Sequence, residues 1–176
     1  MTDQSFVELE PQEIAIPHDS DPPELLYRQV CAHIWDSQYG KPNLDSFGPQ
    51  GSDKRKPSFS RSSIVTAQQS RDWHNANARS KSMGVWACSV VEIQEAGTRG
   101  IDDSETPLLP GTKRAPGHAF VDYRHMTKPQ IREVKAKLLM AALGRKEIDT
   151  VDNSKLDEAG SSPGTWCMTS SCDSSS

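Results

Sequence analysis

The stretch GVWACSVVEI, residues 84–93, decides the fold that this chain is expected to adopt. Apolar side chains fall on both alternating faces of the stretch, and valine and tryptophan are residues that strands favour. A strand that is apolar on both faces is covered on both faces, which places it in the interior of a sheet. The sequence therefore predicts a sheet with residues 84–93 in its middle and Glu92 near the end of this strand.

Shorter strands are predicted at residues 58–65 and 117–124. In the second of these, one alternating set of side chains is apolar and the other is partly polar; the two sets are Ala119, Val121 and Tyr123, and His118, Phe120 and Asp122. Residues 24–36 are apolar enough for a buried element, but their spacing fits a strand and a helix equally well. Residues 94–116, which contain several Gly and Pro, are expected to form a long loop.

Two helices are predicted from their start and stop signals. Thr66 and Gln69 stand three residues apart as a capping box, so a helix is expected from about residue 67 to 79. Thr127 caps a second helix, which carries an apolar stripe and ends at Gly144. Together these elements indicate an α+β fold, a single small domain that has a short mixed or antiparallel sheet, at least two helices and disordered termini.

Composition separates the two ends of the chain from its middle. The first 22 residues combine Pro with acidic side chains, and the last thirty are dominated by Ser, Thr, Asp and Gly. Segments of this kind bury too little apolar surface to offset the entropy lost on ordering. We therefore expect a disordered acidic tail at 1–22, the α+β domain at 23–146 and a disordered Ser/Asp-rich tail at 147–176.

Charge is divided along the chain in the same way. Residues 25–146 hold nineteen Lys and Arg against eleven Asp and Glu, although the whole chain carries a formal net charge of −4. A positive surface suits an anionic ligand or partner, and the acidic ends can dock back on it; alternatively, the charges only solvate the surface. Nucleic acid is one such partner, contacted through residues 54–56, residues 113–114 and the helix face of Arg132, Lys135 and Lys137, but no DNA-binding or RNA-binding motif accompanies them.

The sequence predicts a cytoplasmic protein that makes no contact with membranes. It contains no run of the ~20 apolar residues that a membrane span requires, and its first residues lack the basic start of a signal peptide. Cys31 and Cys88 lie in apolar pattern and are interpreted as buried thiols, whereas Cys167 and Cys172 lie in the C-terminal tail. The spacing of the four cysteines is not that of a structural zinc site, so no metal is predicted.

Four stretches together resemble a family of small uncharacterised bacterial proteins. They are PPELLYRQV at 22–30, SFSRSS at 58–63, GVW at 84–86 and GHAFVD at 117–122. The resemblance covers most of the predicted domain. It implies a bacterial origin and a single domain, and it carries no mechanism with it.

Arg28, Ser60 and Glu92 lie in this order along the chain, on the predicted element at 24–36, the strand at 58–65 and, after a helix, the end of the strand at 84–93. This order resembles the Arg, Ser and Glu of the ADP-ribosyltransferases. In that family the Arg holds a phosphate of NAD, the Ser orients the ribose and the Glu stabilises the oxocarbenium-like ribose. The resemblance implies the same three roles and NAD here, and the residue types suit them. Many members of that family carry a second carboxylate, which this sequence lacks.

The remaining candidate chemistry is weaker. His118 and Asp122 share a face of one predicted strand but are separated by roughly 13 Å, so they do not predict an acid–base pair. Motifs of the common nucleotide-binding proteins and hydrolases are absent. The first prediction is therefore a non-catalytic interaction component of a bacterial multiprotein system, which binds partner proteins through its basic domain and needs no cofactor. An ADP-ribosyltransferase-like or NAD-consuming enzyme and a nucleic-acid-binding accessory protein are the alternatives.

Overall fold

The computed structural model describes residues 6–51 and 53–153, which form an antiparallel sheet covered by helices. The strands of the main sheet are β1 (Ile14–Ala15), β2 (Leu25–Cys31), β5 (Ser58–Arg61), β6 (Ser82–Ser89), β7 (Gly100–Asp102) and β8 (His118–Val121), and a small second sheet pairs β3 (Trp35–Asp36) with β4 (Lys41–Pro42). The order in the main sheet is β1-β7-β8-β5-β2-β6, and each neighbouring pair is antiparallel.

Three α-helices lie among the described residues, and they confirm the predicted α+β fold class. They are α1 (Ala67–Asn77), α2 (Val90–Glu95) and α3 (Lys128–Arg145). The capping box of Thr66 and Gln69 begins α1 as predicted, with both reciprocal hydrogen bonds formed. Within the described part of the chain, no helix has the length and apolar character needed to cross a membrane.

The two faces of the sheet have different cover. On one face, α3 packs through Val134, Leu138 and Ala142 on the apolar side chains of the strands, and this layer is the core; its strand residues include Leu26, Val30, Phe59, Trp86, Cys88, Ala119 and Val121. On the other face, α1 packs mainly on β2 and β6, and it reaches β5 through the hydrogen bond from Ser70 to Ser60. Among the described helices none packs extensively on β8, so this part of the face stays open.

The segment at 84–93 differs from its prediction in two ways. It ends as a strand at Ser89, because Ser89 and Glu92 form a capping box that begins α2. In addition, β6 is the last strand in the order of the sheet, and not an interior one. It is nevertheless buried, because α1 and α3 cover its faces and the amide of Ile148 donates to the carbonyl of Val85 along its outer edge.

Two other regions contain more structure than expected. Residues 24–36, which fit either element, contain β2, a short 3-10 turn at Ala32–Ile34 and β3, and the predicted loop at 94–116 contains β7. Residues 6–22 of the expected acidic tail are described, and β1 within them pairs with β7. At the other end the chain follows the domain to residue 153, with hydrogen bonds from Arg71 to Thr150. Residues 1–5 and 154–176, with Cys167 and Cys172, lie outside the described residues.

A buried ionic network attaches the N-terminal segment to the domain. The carboxylate of Glu13 has a side-chain exposure of 1% and pairs with Lys56 and Arg124. Arg124 also binds the fully buried Asp122, which pairs with Arg99 as well. The acidic segment is therefore ordered by cations of the central domain, since a carboxylate without these partners would be costly to bury.

The network also shifts the ionisation of its carboxyls. Burial by itself raises the pKa of Glu13, but hydrogen bonds from Lys56 and from the backbone amide of Glu10, with the charge of Arg124, outweigh it and lower the pKa. The pKa of Asp122 is lowered in the same way: burial raises it, and the bonds from Arg124 and Arg99 more than compensate. Both carboxyls are therefore stabilised in their charged forms.

Replacement of Glu13 by Gln is expected to lower the free energy of unfolding by about 2 kcal/mol at neutral pH, because the buried cations lose a charged acceptor. Glu8→Gln, at an exposed position without such partners, is the control. Because the folded-state pKa is lowered, the contribution of Glu13 is complete above pH 4.5, the ordinary value, and disappears as the pH falls through the folded-state pKa. Urea unfolding at several pH values checks both expectations; a loss at Glu8 equal to that at Glu13 would contradict them.

Candidate functional site

A cleft of about 460 Å³ opens on the sheet face that α3 leaves free. Its floor is formed by the adjacent strands β2, β5 and β8, on which Tyr27, Ser60 and His118 are register partners in one row. One wall is α1, through Trp73 and His74, and the other is the segment between β7 and β8. The cleft is therefore built from three regions of the chain: β2, β5 with α1, and the β7–β8 segment with β8.

Strand alternation explains which side chains the floor presents. In β2, Leu26 and Val30 belong to the core, so Tyr27 and Gln29 lie on the opposite face, toward α1. In β8, Ala119 and Val121 belong to the core, and His118 lines the cleft. The two side-chain sets predicted for residues 118–123 are thus found on opposite faces of the sheet.

His118 is held in the cleft by a carboxylate of the wall. Its Nδ1 lies 2.6 Å from Oδ1 of Asp103, the first residue after β7. An ionised carboxylate only accepts hydrogen bonds, so Nδ1 carries a proton and, in the neutral ring, Nε2 keeps its lone pair. Among the described residues, Nε2 has no hydrogen-bond partner. This orientation leaves the basic nitrogen free to act on a molecule in the cleft.

A chain of three hydroxyl and amide groups leads to Ser60. Nε2 of Gln29 donates to Oγ of Ser70, 2.9 Å away, and Oγ of Ser70 donates to Oγ of Ser60, also at 2.9 Å. Ser60 therefore acts as an acceptor in this chain and retains its own proton. That proton has no acceptor among the described residues, although Ser60 is 6% exposed.

Cys31 and His74 are a second pair of potentially reactive groups in the cleft, with Sγ 3.3 Å from Nε2. They are not arranged as an activated thiolate. Nε2 of His74 lies 2.8 Å from the carbonyl of Ser80, which only accepts, so this nitrogen carries a proton and has no lone pair for the thiol. Burial raises the pKa of Cys31 and lowers that of His74, which favours neutral forms of both.

The structure places Arg28 behind the floor of the cleft. Arg28 borders the cleft, but alternation puts its side chain on the core face, where Nε donates to the carbonyl of Ser46 and Nη1 to that of Ser58, both at 2.7 Å. No carboxylate of the described residues lies within 4.0 Å of this guanidinium. Burial therefore lowers its pKa. Arg28 braces two backbone carbonyls, and the charge of Asp53, beyond ion-pair distance, only partly offsets the burial of its guanidinium.

Glu92 does not join Arg28 and Ser60. It is not among the cleft residues; it lies in the first turn of α2, where its carboxylate accepts from the amide of Ser89 and pairs with Arg145 at 3.0 Å. Of the three residues selected for the ADP-ribosyltransferase-like alternative, Arg28 and Ser60 border one cleft and Glu92 lies elsewhere. A role for Glu92 in stabilising a ribose cation has no geometric support, because a charge must lie close to the atoms it stabilises.

Sequence reasoning did not identify the pair of His118 and Asp103. It compared His118 with Asp122, which belongs to the ionic network with Arg99 and Arg124. The signal that could have identified the pair is the run Ile101-Asp102-Asp103, because an acidic turn that follows a strand beside β8 brings a carboxylate next to its first residue. Within the described part of the chain, no three His, Cys, Asp or Glu side chains converge as a metal site requires.

Comparisons of the chain with protein-family models, with curated proteins and with solved structures find no match. The resemblance to a bacterial family therefore stays a prediction, as does the bacterial origin that it implies. The function must be argued from the cleft itself.

Glu92→Gln is expected to lower the free energy of unfolding by at most about 1 kcal/mol, because Gln still caps α2 and the ion pair with Arg145 is partly exposed. It should leave His118 and the cleft unchanged, since α2 contributes no residue to them. Thermal unfolding and a ¹⁵N–¹H correlation spectrum check this. Shifts concentrated at residues 60, 103 and 118 would show that Glu92 acts on the cleft after all.

Proposed function

We propose that this chain is an enzyme that binds a small anionic ligand with a planar ring in the cleft and acts on it by acid–base catalysis through His118. The observation that carries this proposal is the 2.6 Å contact of Asp103 with Nδ1 of His118, which leaves the other ring nitrogen without a described partner beside an open, mostly apolar cleft. A histidine whose second nitrogen is oriented by a carboxylate is the usual arrangement for a general base.

The charge of the cleft supports an anionic ligand. Arg28, Lys113 and Arg114 border it, against the single carboxylate of Asp103. The guanidinium of Arg114 already donates to the carbonyls of Ser104 and Thr106 within the wall of the cleft. Lys113 contacts only the side-chain oxygen of Asn77, at 3.2 Å, among the described residues. Its ammonium group is therefore available to an anion that enters the cleft.

Trp73 supports a ring in the ligand. Its half-buried side chain lines the cleft and stacks on no other aromatic ring of the described residues. A single indole face beside cations suits a nucleotide, because bases stack on aromatic side chains while phosphates bind Lys and Arg. NAD, the cofactor implied by the ADP-ribosyltransferase-like order, belongs to this ligand class and stays a proposal, without the role of Glu92.

Binding of a partner protein is the second candidate, in keeping with the charge distribution. Leu109 favours it, because this side chain is 75% exposed in the segment that forms the wall of the cleft. Nucleic-acid binding has less support. Lys56 pairs with Glu10 and Glu13, and Arg55 donates to the carbonyl of Met126, so two of the three cations at 54–56 are already engaged.

Adenosine monophosphate and NAD are the probes that test the proposed ligand class by isothermal titration calorimetry. Lys113→Met should weaken binding about fivefold to tenfold, and Trp73→Leu about tenfold, because they remove one phosphate contact and one stacking surface. Lys41→Met, at an exposed lysine away from the cleft, is the matched control and should bind as the wild type does. If neither probe binds, or if the Lys41 variant loses as much affinity as the Lys113 variant, the anion-binding proposal is wrong.

A further inference from the structure

The hydroxyl of Ser60 has the connections of a nucleophile. It accepts from Ser70 at 2.9 Å and is left with a proton that no described residue accepts. Its cross-strand partner on the same sheet face is His118. Directly opposed residues of an antiparallel pair have Cβ atoms roughly 5 Å apart, so a rotation of the Ser60 side chain can bring its Oγ toward Nε2 of His118 while Asp103 keeps its contact with Nδ1.

We propose that Ser60 is the nucleophile, His118 its general base and Asp103 the positioning residue in the hydrolysis of a small anionic carboxylic ester. This inference rests on the proposed function, because it uses the same cleft and the same excess of cations. It adds a substrate class and a covalent intermediate. The three residues come from β5, β8 and the turn after β7: Asp103 contacts Nδ1 of His118, and His118 is the cross-strand partner of Ser60.

The hydrogen bonds determine which atom of Ser60 and of His118 donates a proton and which accepts one. The chain from Gln29 through Ser70 ends on Ser60 and leaves the Ser60 proton as the donor at the cleft floor. The bond to Asp103 fixes the proton of His118 on Nδ1, so Nε2 is the acceptor. The hydroxyl of Ser60 thus has a proton to donate, and Nε2 of His118 has a lone pair to accept it. Both residues line the same cleft from neighbouring strands. Cys31, the other potential nucleophile, lacks this arrangement because its histidine presents a proton.

The reaction balances with water as the only co-reactant. The proton of Ser60 moves to Nε2 of His118 as Oγ attacks the ester carbonyl carbon, and the tetrahedral intermediate expels the alcohol, which takes the proton from Nε2. Water then attacks the acyl-serine carbonyl and gives a proton to Nε2. The Ser60–acyl bond breaks, Oγ recovers that proton, and the carboxylic acid leaves. Asp103 keeps the ring in one tautomer throughout and stabilises the imidazolium form.

The anionic preference follows from Lys113. This ammonium group contacts only an amide oxygen among the described residues, and it lies on the same wall as Asp103. An ester whose acyl chain ends in a carboxylate can place that carboxylate at Lys113 and its carbonyl at Ser60. A neutral ester of equal length has no such contact. The cleft should therefore discriminate between two esters that differ only in the terminal charge.

Labelling by a tagged fluorophosphonate tests the nucleophile, since this probe forms a serine–phosphorus bond as fluoride and the serine proton leave. The wild type should be labelled, with the adduct on Ser60 by peptide mass spectrometry. Ser60→Ala should abolish labelling, and His118→Asn, which leaves Ser60 in place, should slow it roughly 100-fold or more. Asp103→Asn should lower the maximal rate of labelling without changing the half-saturating probe concentration. Ser37→Ala, at an exposed serine away from the cleft, should be labelled as the wild type is.

Ester hydrolysis tests the substrate class. The para-nitrophenyl monoester of glutaric acid should be hydrolysed faster than the para-nitrophenyl ester of valeric acid, and Lys113→Met should remove the difference. Wild type without labelling, or an adduct on Ser58 or another serine, would overturn the nucleophile. If labelling fails but adenosine monophosphate still binds the same sample, the role of Ser60 as nucleophile is overturned and the proposed anion-binding cleft is not. A His118 variant that is labelled at the wild-type rate would overturn the base, and thermal unfolding of each variant excludes loss of folding as the cause.

Discussion

The register of three adjacent strands is the constraint on which the rest of the structure depends. Tyr27, Ser60 and His118 are direct partners across β2, β5 and β8, so their side chains leave the sheet on one face. Side chains alternate along a strand, and a slip of one residue in either pairing would turn part of this row into the core. The same slip would bring Leu26, Phe59 or Ala119 to the cleft. Packing of the core thus fixes the geometry of the site.

The β8 strand contributes both to the packing of the core and to the cleft. Ala119 and Val121 are fully buried in the core, whereas His118 at the start of the strand serves the cleft. Just beyond its other end, Asp122 is fully buried and binds Arg99 and Arg124. Arg124 in turn holds Glu13 of the N-terminal segment. One strand and the residue that follows it therefore connect core, candidate site and ionic network, and a change in its position would affect all three.

Local signals made much of the fold predictable. The capping box of Thr66 and Gln69 and the two faces of residues 118–123 depend on neighbours in sequence, and both are found in the structure. The start of α2 had the same kind of signal, since Ser89 and Glu92 form a capping box. The capping box was outweighed in the prediction because Val90, Val91 and Ile93 are β-branched and favour a longer strand. Tertiary packing against β6 and α3 decided in favour of the helix.

The long-range features were not predictable from the sequence. Asp103 and His118 meet because β7 pairs with β8, and β7 is a short strand within a Gly- and Pro-containing stretch that is typical of a loop. Glu13 became ordered because Lys56 and Arg124, distant in sequence, converge on it. Arg28 and Ser60 both border the cleft, but strand register, and not their order along the chain, decides that only Ser60 turns its side chain to the cleft face.

Measurement of which ring nitrogen of His118 carries the proton is the most direct test of the proposed site. A ¹⁵N NMR spectrum of the imidazole groups, assigned with His118→Asn, distinguishes a protonated Nδ1 from a protonated Nε2. The contact with Asp103 predicts the Nδ1-protonated tautomer in the neutral ring, with a strongly deshielded proton on that nitrogen, and loss of both in Asp103→Asn. A neutral ring with its proton on Nε2, or two nitrogens that exchange protons as in free imidazole, would contradict the account, because His118 would then have no base directed into the cleft.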